Sequence, residues 1–348
     1  MGEACRAAEE RFGLRRTAPR DRTGAPPPTR AESEKARRQG RSEPPRITLR
    51  RTVSTAAAAA ASEHEFFARL DAAGISVRRR YSTRNRGELT GYAVALPADT
   101  TRTGTPVWYG GGKLAPDLTL PKLRHRWAPS GTTARDQFTA AERNAIWEHA
   151  AEAASRAAVE IRHLTGTDPG AGADAAWAAA DTLHAAASTL GSREVRRAAD
   201  SYARAARIPY GHIPRHTAAG TSLRRAARLL AAATPALNDP TLAQIALIFR
   251  LAALIEAVAD LRAAQRRAAQ AAAARAAVAH LHSARCAYGV RAAPHMRSRG
   301  SRIHPDVPFS VRDVVAQASK TAGAAPDQAT PVRASRGPAP PRPRGAAR

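Results

Sequence analysis

Two pairs of histidines have spacings that occur in metal sites, where a bound cation acts as a Lewis acid. His280 and His282 are two residues apart, and such neighbours share a face only in a β-strand. Their surroundings are alanine-rich and helical in pattern, and on a helix they point about 200° apart. We therefore interpret them as solvated helix residues. His212 and His216 enclose Pro214, which breaks any helix that would align them, so this pair indicates an interhelix turn.

The other residues that can do chemistry lack partners at useful spacing. None of the six tyrosines has a neighbouring set of acids, bases or metal ligands: Tyr81, Tyr92, Tyr109, Tyr202, Tyr210 and Tyr288. The run Gly110-Gly111-Gly112-Lys113 lacks the spacing of a phosphate loop and predicts a flexible basic loop. Cys5 and Cys286 lie at opposite ends, which indicates no disulfide and a reducing compartment. We predict no catalytic residue, no metal site and no cofactor in this chain.

Basic residues interleaved with aromatic residues give the stronger signal, because such surfaces track single strands by phosphate contact and base stacking. The residues predicted to contact DNA are Arg78, Arg79, Arg80, Arg84, Arg86, Lys113, Lys122, Arg124 and Arg126. Those predicted to stack on bases are Tyr81, Trp108 and Tyr109. An alternative carries equal weight: Tyr92, Trp108 and Tyr109 pack a small core, and the arginines are simply solvated.

The composition favours a polyanionic partner. The 348-residue chain has a formal net charge of +26, which predicts association with nucleic acid. Its N-terminus is charged rather than apolar and indicates no signal peptide. The most apolar run, Leu242–Ala259, contains Arg250 and Glu256, so we interpret it as a buried helix face rather than a membrane span. A cytoplasmic location follows as the expectation.

The elements that must position these residues form a small α+β module over 47–127. A helix over 47–61 precedes a second helix, 63–73, whose start is a capping box of Ser62 and Glu65. Alternation over 75–81 and 89–96 predicts a hairpin, turned at 85–87. Residues 107–109 are a candidate third strand, and 118–127 a short helix.

A mainly α-helical bundle, or a set of helical hairpins, is predicted over 133–285. Its segments are 139–164, 173–190, 192–206, 217–233 and 240–284, with apolar residues at helical spacing. Residues 1–46 are predicted to be one helix, over 2–14, followed by a disordered basic linker. Residues 286–348 are predicted to be a disordered basic tail.

The module resembles a known family. The segments that carry the resemblance are 9–14, 62–78, the hairpin end at 89–96, 107–120 and the phrase Asp117-Leu118-Thr119-Leu120-Pro121-Lys122-Leu123. They are similar to the region just after the nuclease core in actinobacterial plasmid mobilisation relaxases of the MobA type. The helical half resembles the C-terminal region of such proteins with less specificity.

The resemblance implies a function in plasmid or conjugative DNA transfer. Full family members nick one strand with an N-terminal tyrosine and a histidine-bound divalent metal, and no residue of this chain matches those positions. We therefore expect the catalytic part to lie upstream of Met1, and this chain to bind single-stranded or plasmid DNA, or conjugation-machinery proteins, without nicking. The alternatives are a helical interaction protein that docks a transfer or partition component, and a remnant without function.

Overall fold

The computed structural model describes residues 2–13, 23–127, 138–208, 212–233 and 242–298. Within these ranges a small α+β module is followed by a helical bundle, which confirms the predicted fold class. Each region has its own hydrophobic cluster, one built mainly from 49–127 and the other from 146–288.

The segment that precedes the module contains more structure than the sequence predicts. Helix α1 spans Gly2–Arg11, and Phe12 beyond it is 66% exposed. The prediction of a linker through residue 46 is wrong, because helix α2 spans Arg30–Arg38. Thr29 and Glu32 form a capping box at its start. Lys35 then donates hydrogen bonds to Asp99 and to the Thr100 carbonyl, both at 2.5 Å, which ties α2 to the module.

The module packs its helices on one face of a three-stranded sheet. Helices α3 (Pro45–Ala59) and α4 (Glu63–Ala72) precede strands β1 (Ser76–Tyr81), β2 (Leu89–Ala95) and β3 (Tyr109–Gly110). The strands are antiparallel in the order β1-β2-β3. Ser62 accepts a hydrogen bond from the Glu65 amide as predicted, but the Glu65 carboxylate accepts from Ala61, so the box is incomplete. Two short helices close the module, α5 (Gly111–Leu114) and α6 (Leu120–Trp127).

The described part of the bundle contains six helices: α7 (Ala140–Thr167), α8 (Ala173–Leu190), α9 (Arg193–Ala206), α10 (Ala218–Ala232), α11 (Leu242–Ala264) and α12 (Ala268–Ser298). The sequence predicts one helix over 240–284, but Arg266 has a φ of 56° and reverses the chain there. Helix α12 continues past residue 286, so the predicted tail begins too early. The remainder of the predicted tail, 299–348, lies outside the described residues.

Helix α11 is the bundle's most apolar element. In the described ranges it is the one helix long and apolar enough to cross a membrane, and 56% of its most apolar window is buried. It packs against α7 and α12, with Leu247, Leu251 and Leu254 fully enclosed. The predicted buried helix face is therefore present.

Charged residues join the module to the bundle. Arg126 of α6 pairs with Asp181 of α8, and both side chains are at most 3% exposed. Arg51 of α3 contacts Asp200 of α9 at 2.7 Å, and Arg207 contacts Asp117 at 2.5 Å. Helix α3 also packs against α8 and α10, so the two regions share an extended interface.

Candidate nucleic-acid interface

One face of the module's sheet packs on helix α4, and the register shows which strand residues share that face and which lie on the other. Val94 and Tyr92 alternate with Ala93 and Gly91 along β2, and register places Arg79 opposite Tyr92 and Arg80 opposite Gly91. Side chains of directly opposed residues lie on the same face. The Tyr92 ring packs on Phe66 and Phe67, so its face is the interior one.

The opposite face carries arginines above small residues. Arg78 is paired with Ala93 in the register, and Arg80 lies over Gly91, with its guanidinium 3.0 Å from where a Cβ on that glycine would stand. Ala93 in turn pairs with Gly110 of β3. Because these floor residues have little or no side chain, a ligand can approach the strand backbone closely.

A groove of about 990 Å³ lies along this part of the module. Five of the nine predicted DNA contacts line it: Arg78, Arg79, Arg80, Lys113 and Lys122. Arg79 reaches it from the Tyr92 face, with its guanidinium 4.6 Å from the Phe67 ring centroid. None of the lining residues is acidic. Low-dielectric walls of one charge sign focus the electrostatic field and raise the local concentration of an oppositely charged ligand. The groove therefore has the charge and shape to accept a polyanion.

The glycine run at the groove is ordered by close packing rather than flexible, which corrects the loop prediction. Gly111 begins helix α5 and is buried. A Cβ on Gly111 would lie 2.2 Å from the Leu118 carbonyl and 2.6 Å from the Tyr92 hydroxyl, so no larger residue fits. The Tyr92 hydroxyl donates a 2.7 Å hydrogen bond to that same carbonyl, which fixes β2 against the segment leading to α6.

The two lysines of the groove differ in setting. Lys113 is exposed at the end of α5. Lys122 is half-buried, and burial lowers its pKa, an effect that Asp117 opposes and Arg207 reinforces. A phosphate beside Lys122 would raise its pKa again, since an anion favours the protonated form of an amine.

The three residues predicted to stack on bases differ in their exposure to solvent. Tyr81 is 52% exposed at the end of β1. Trp108 is half-buried, and the Arg78 guanidinium covers its ring at 4.5 Å from the centroid. Tyr109 is buried and donates a 2.9 Å hydrogen bond to Glu32; burial, followed by this bond, raises its pKa. Tyr109 therefore packs the core, as the alternative interpretation expected, and of the three rings that of Tyr81 is the one open to solvent.

The remaining predicted DNA contacts lie outside the groove lining. Arg84 and Arg86 are exposed on the loop between β1 and β2. Arg124 already makes two contacts within the protein. It forms a 2.7 Å ion pair with Glu63 and donates a hydrogen bond to the Leu89 carbonyl. Arg126 does not reach the surface, because it is 3% exposed and paired with Asp181. Its placement as a DNA contact is corrected: it joins the module to the bundle.

The histidine pairs form no metal site among the residues that the structure places. His280 and His282 lie on α12, as expected for solvated helix residues. His216 stacks on His125 of α6 at 4.2 Å, a contact that the sequence did not indicate. His125 in turn lies 2.9 Å from the Pro214 carbonyl, so the predicted interhelix turn packs on the module.

One groove residue was absent from the predicted set. Ile213 belongs to the turn before α10, is 47% exposed, and lines the groove from the bundle side. Nothing local in the sequence marks it, because its position follows from the docking of that turn on α6. An exposed apolar side chain at the end of a basic groove can contact a nucleobase face or a sugar.

No family model, no curated protein and no solved structure matches this chain.

Proposed function

We propose that this chain binds DNA, preferentially single-stranded, along the groove of the module, as a mobilisation-type protein that does not itself nick DNA. The observation that carries the proposal is the groove lining, with five basic side chains, no acidic one and a floor of small residues. Arg78 and Arg80 stand on the sheet face opposite to the one that packs on Phe66 and Phe67.

This geometry supports a single strand better than a duplex. Phosphate contacts come from the basic side chains, while Tyr81 and the Arg80 guanidinium plane offer surfaces on which a base can stack. Such a site tolerates many sequences, because every base has a stacking face. The resemblance to relaxases indicates which DNA would be bound, namely the plasmid strand that is transferred, in the cytoplasm. It also indicates conjugation-machinery proteins as further partners.

Binding of a fluorescent single-stranded oligonucleotide, followed by anisotropy over a range of salt concentrations, tests the proposal. The variant Arg78→Gln/Arg80→Gln/Lys113→Gln removes three groove charges. We expect its affinity to fall at least tenfold. Its salt slope should decrease in magnitude by about 2, because each phosphate that a protein neutralises on a single strand contributes roughly 0.7 to that slope.

A control with the same net charge is Arg193→Gln/Arg197→Gln/Arg275→Gln, which changes exposed bundle residues outside the groove. It is expected to retain most of the wild-type affinity. Equal reductions in the two variants would show that dispersed charge, not the groove, binds DNA. Absence of binding at moderate salt would favour the helical interaction protein, and metal-dependent nicking of supercoiled plasmid by the purified chain would contradict the non-nicking function.

A further inference from the structure

A second cavity lies between the module and the bundle. It has a volume of about 520 Å³ and lies among helices α3, α4, α8, α9 and α10. This volume is within the range of small-molecule sites, and interfaces between regions are common places for them. The cavity shares no lining residue with the basic groove.

Small apolar side chains create the space. Seven of the lining residues are alanines: Ala56, Ala59, Ala72, Ala73, Ala187, Ala199 and Ala231. Where facing helices carry alanine, the volume that a leucine or phenylalanine would fill stays open. The walls are therefore suited to an apolar body of the size of one aromatic ring.

His184 supplies a polar group to this cavity. Its side chain is 5% exposed, it lines the cavity, and it forms no hydrogen bond with any residue that the structure describes. Burial, opposed in part by Asp200, lowers the pKa of His184 to about 4, so the ring is neutral at pH 7. The ring N–H therefore faces a space in which an acceptor on a ligand can meet it.

The arginines at the cavity differ in what they already bind. Arg51 is held by Glu43 and Asp200, and Arg69 by Glu65. Arg196 has no ion pair within the described ranges, and none of the lining residues is acidic. Its guanidinium is therefore the cation left available to a ligand.

We propose that this cavity binds a small carboxylic acid with an apolar body, its carboxylate on Arg196 and on the His184 ring N–H. The alanine walls take the apolar part, and the guanidinium matches the planar carboxylate. A bound acid would contact α3 and α4 on one side and α8 and α9 on the other, so it would also stabilise the docking of the module on the bundle.

The test is a titration of the full chain with phenylacetate, observed through the ring nitrogens of His184 in histidine-labelled protein. We expect a saturable shift of the His184 signals. The variant Arg196→Gln should weaken binding about tenfold or more, because it removes one charge-assisted hydrogen bond. The control Arg197→Gln changes the next exposed arginine of α9, which does not line the cavity, and should bind like wild type.

Two further arms make the result decisive. Ala72→Phe places a ring at an exposed lining position and should abolish the shift without disturbing a buried residue. Phenylacetamide, which has the same shape without the charge, should bind at least tenfold more weakly. No saturable shift, equal binding of phenylacetamide, or equal binding of inorganic phosphate alone would overturn the proposal. DNA binding by the groove is independent of this outcome.

Discussion

The hydrophobic cores of the module and the bundle differ in residue type. In the module, Phe66 contacts Phe67, Tyr92 and Trp127 with ring centroids 5.2 to 5.4 Å apart. In the bundle, alanines make up more than half of the buried cluster. An aromatic side chain buries far more apolar surface than a methyl group, so the module gains more hydrophobic free energy per residue.

The bundle compensates with close helix approach and buried polar contacts. Thr182 and Thr189 of α8 donate hydrogen bonds of 3.0 and 3.1 Å to the Leu223 and Leu230 carbonyls of α10. Tyr202 of α9 donates one of 2.7 Å to the Ala176 carbonyl of α8. Such bonds require short interhelical distances, which the alanines allow. A core with few aromatic residues is therefore stabilised by closely packed helices and buried hydrogen bonds rather than by large apolar side chains.

The largest expected effect comes from removing the buried ion pair between Arg126 and Asp181, which joins the module to the bundle. Asp181→Ala leaves Arg126 buried without its partner and removes a carboxylate 3.7 Å from Arg224. We expect the free energy of unfolding to fall by about 4 kcal/mol, since an uncompensated buried charge is strongly destabilising. Urea unfolding measures the change, with the exposed Asp71→Ala variant as control. A midpoint equal to that of the control would contradict a structural role for the pair.

A buried polar group of the bundle also predicts a pH dependence. The pKa of His184 is about 4 in the folded chain and near 6.5 when unfolded, so the unfolded chain binds more protons between these values. Stability is therefore complete above about pH 6.5 and falls as the pH drops toward 4, by about 3 kcal/mol in total.

His184→Gln should flatten this part of the stability profile, measured by urea unfolding from pH 7 to pH 5. The exposed His64→Gln variant should follow the wild-type curve. If the His184→Gln and wild-type profiles are parallel, the titration of other groups causes the slope.

Close packing in the bundle is tested by enlarging an alanine. Ala154 of α7 is fully buried, and Ala154→Leu should destabilise the fold by about 2 kcal/mol because the added methylenes have no space. Ala141→Leu, at an exposed position of the same helix, should cost little. Thermal unfolding distinguishes them. A stabilising Ala154→Leu would mean that the bundle core is underpacked rather than close-packed.

The smallest expected effect concerns the interhelical hydroxyls. Thr182→Val removes the bond to the Leu223 carbonyl and should cost about 1 kcal/mol. Thr189→Val should cost less, because the Thr189 hydroxyl has one proton and lies 2.9 Å from the Ala185 carbonyl of its own helix as well as 3.1 Å from that of Leu230. The two costs should add in the double variant, as measured by urea unfolding. A net gain in stability from either change would show that burial of the methyl outweighs the bond.

Local rules in the sequence located most elements but failed where contacts distant in the chain decide the outcome. The hairpin, the helix after Ser62 and the bundle helices follow from alternation, capping and helical spacing. Helix α2 is missed although Thr29 and Glu32 form a local capping box, because its composition is that of a linker and a lysine that reaches Asp99 helps to hold it. The run beginning at Gly110 resembles a flexible loop because nothing nearby in the sequence shows that Gly111 packs against Leu118.

The basic groove was predicted in part. Arg78, Arg79 and Arg80 adjoin one another in sequence, and period-two geometry places the first and third on one face. Arg124 and Arg126 belong to the same sequence cluster, yet one is exposed and the other is enclosed by the bundle. A helix places neighbours on different faces, and only the docking of α6 decides which face is covered.

The sequence by itself determined the charge, the β-hairpin of the module and the mainly helical character of the second region, because these depend on residue type and local spacing. The tertiary structure decided which arginines face solvent, which histidines meet, and where alanine walls leave a cavity. Those outcomes depend on contacts between residues tens of positions apart, such as Arg126 with Asp181 and His125 with His216. No local pattern encodes such pairs, since each is set by how the module docks on the bundle.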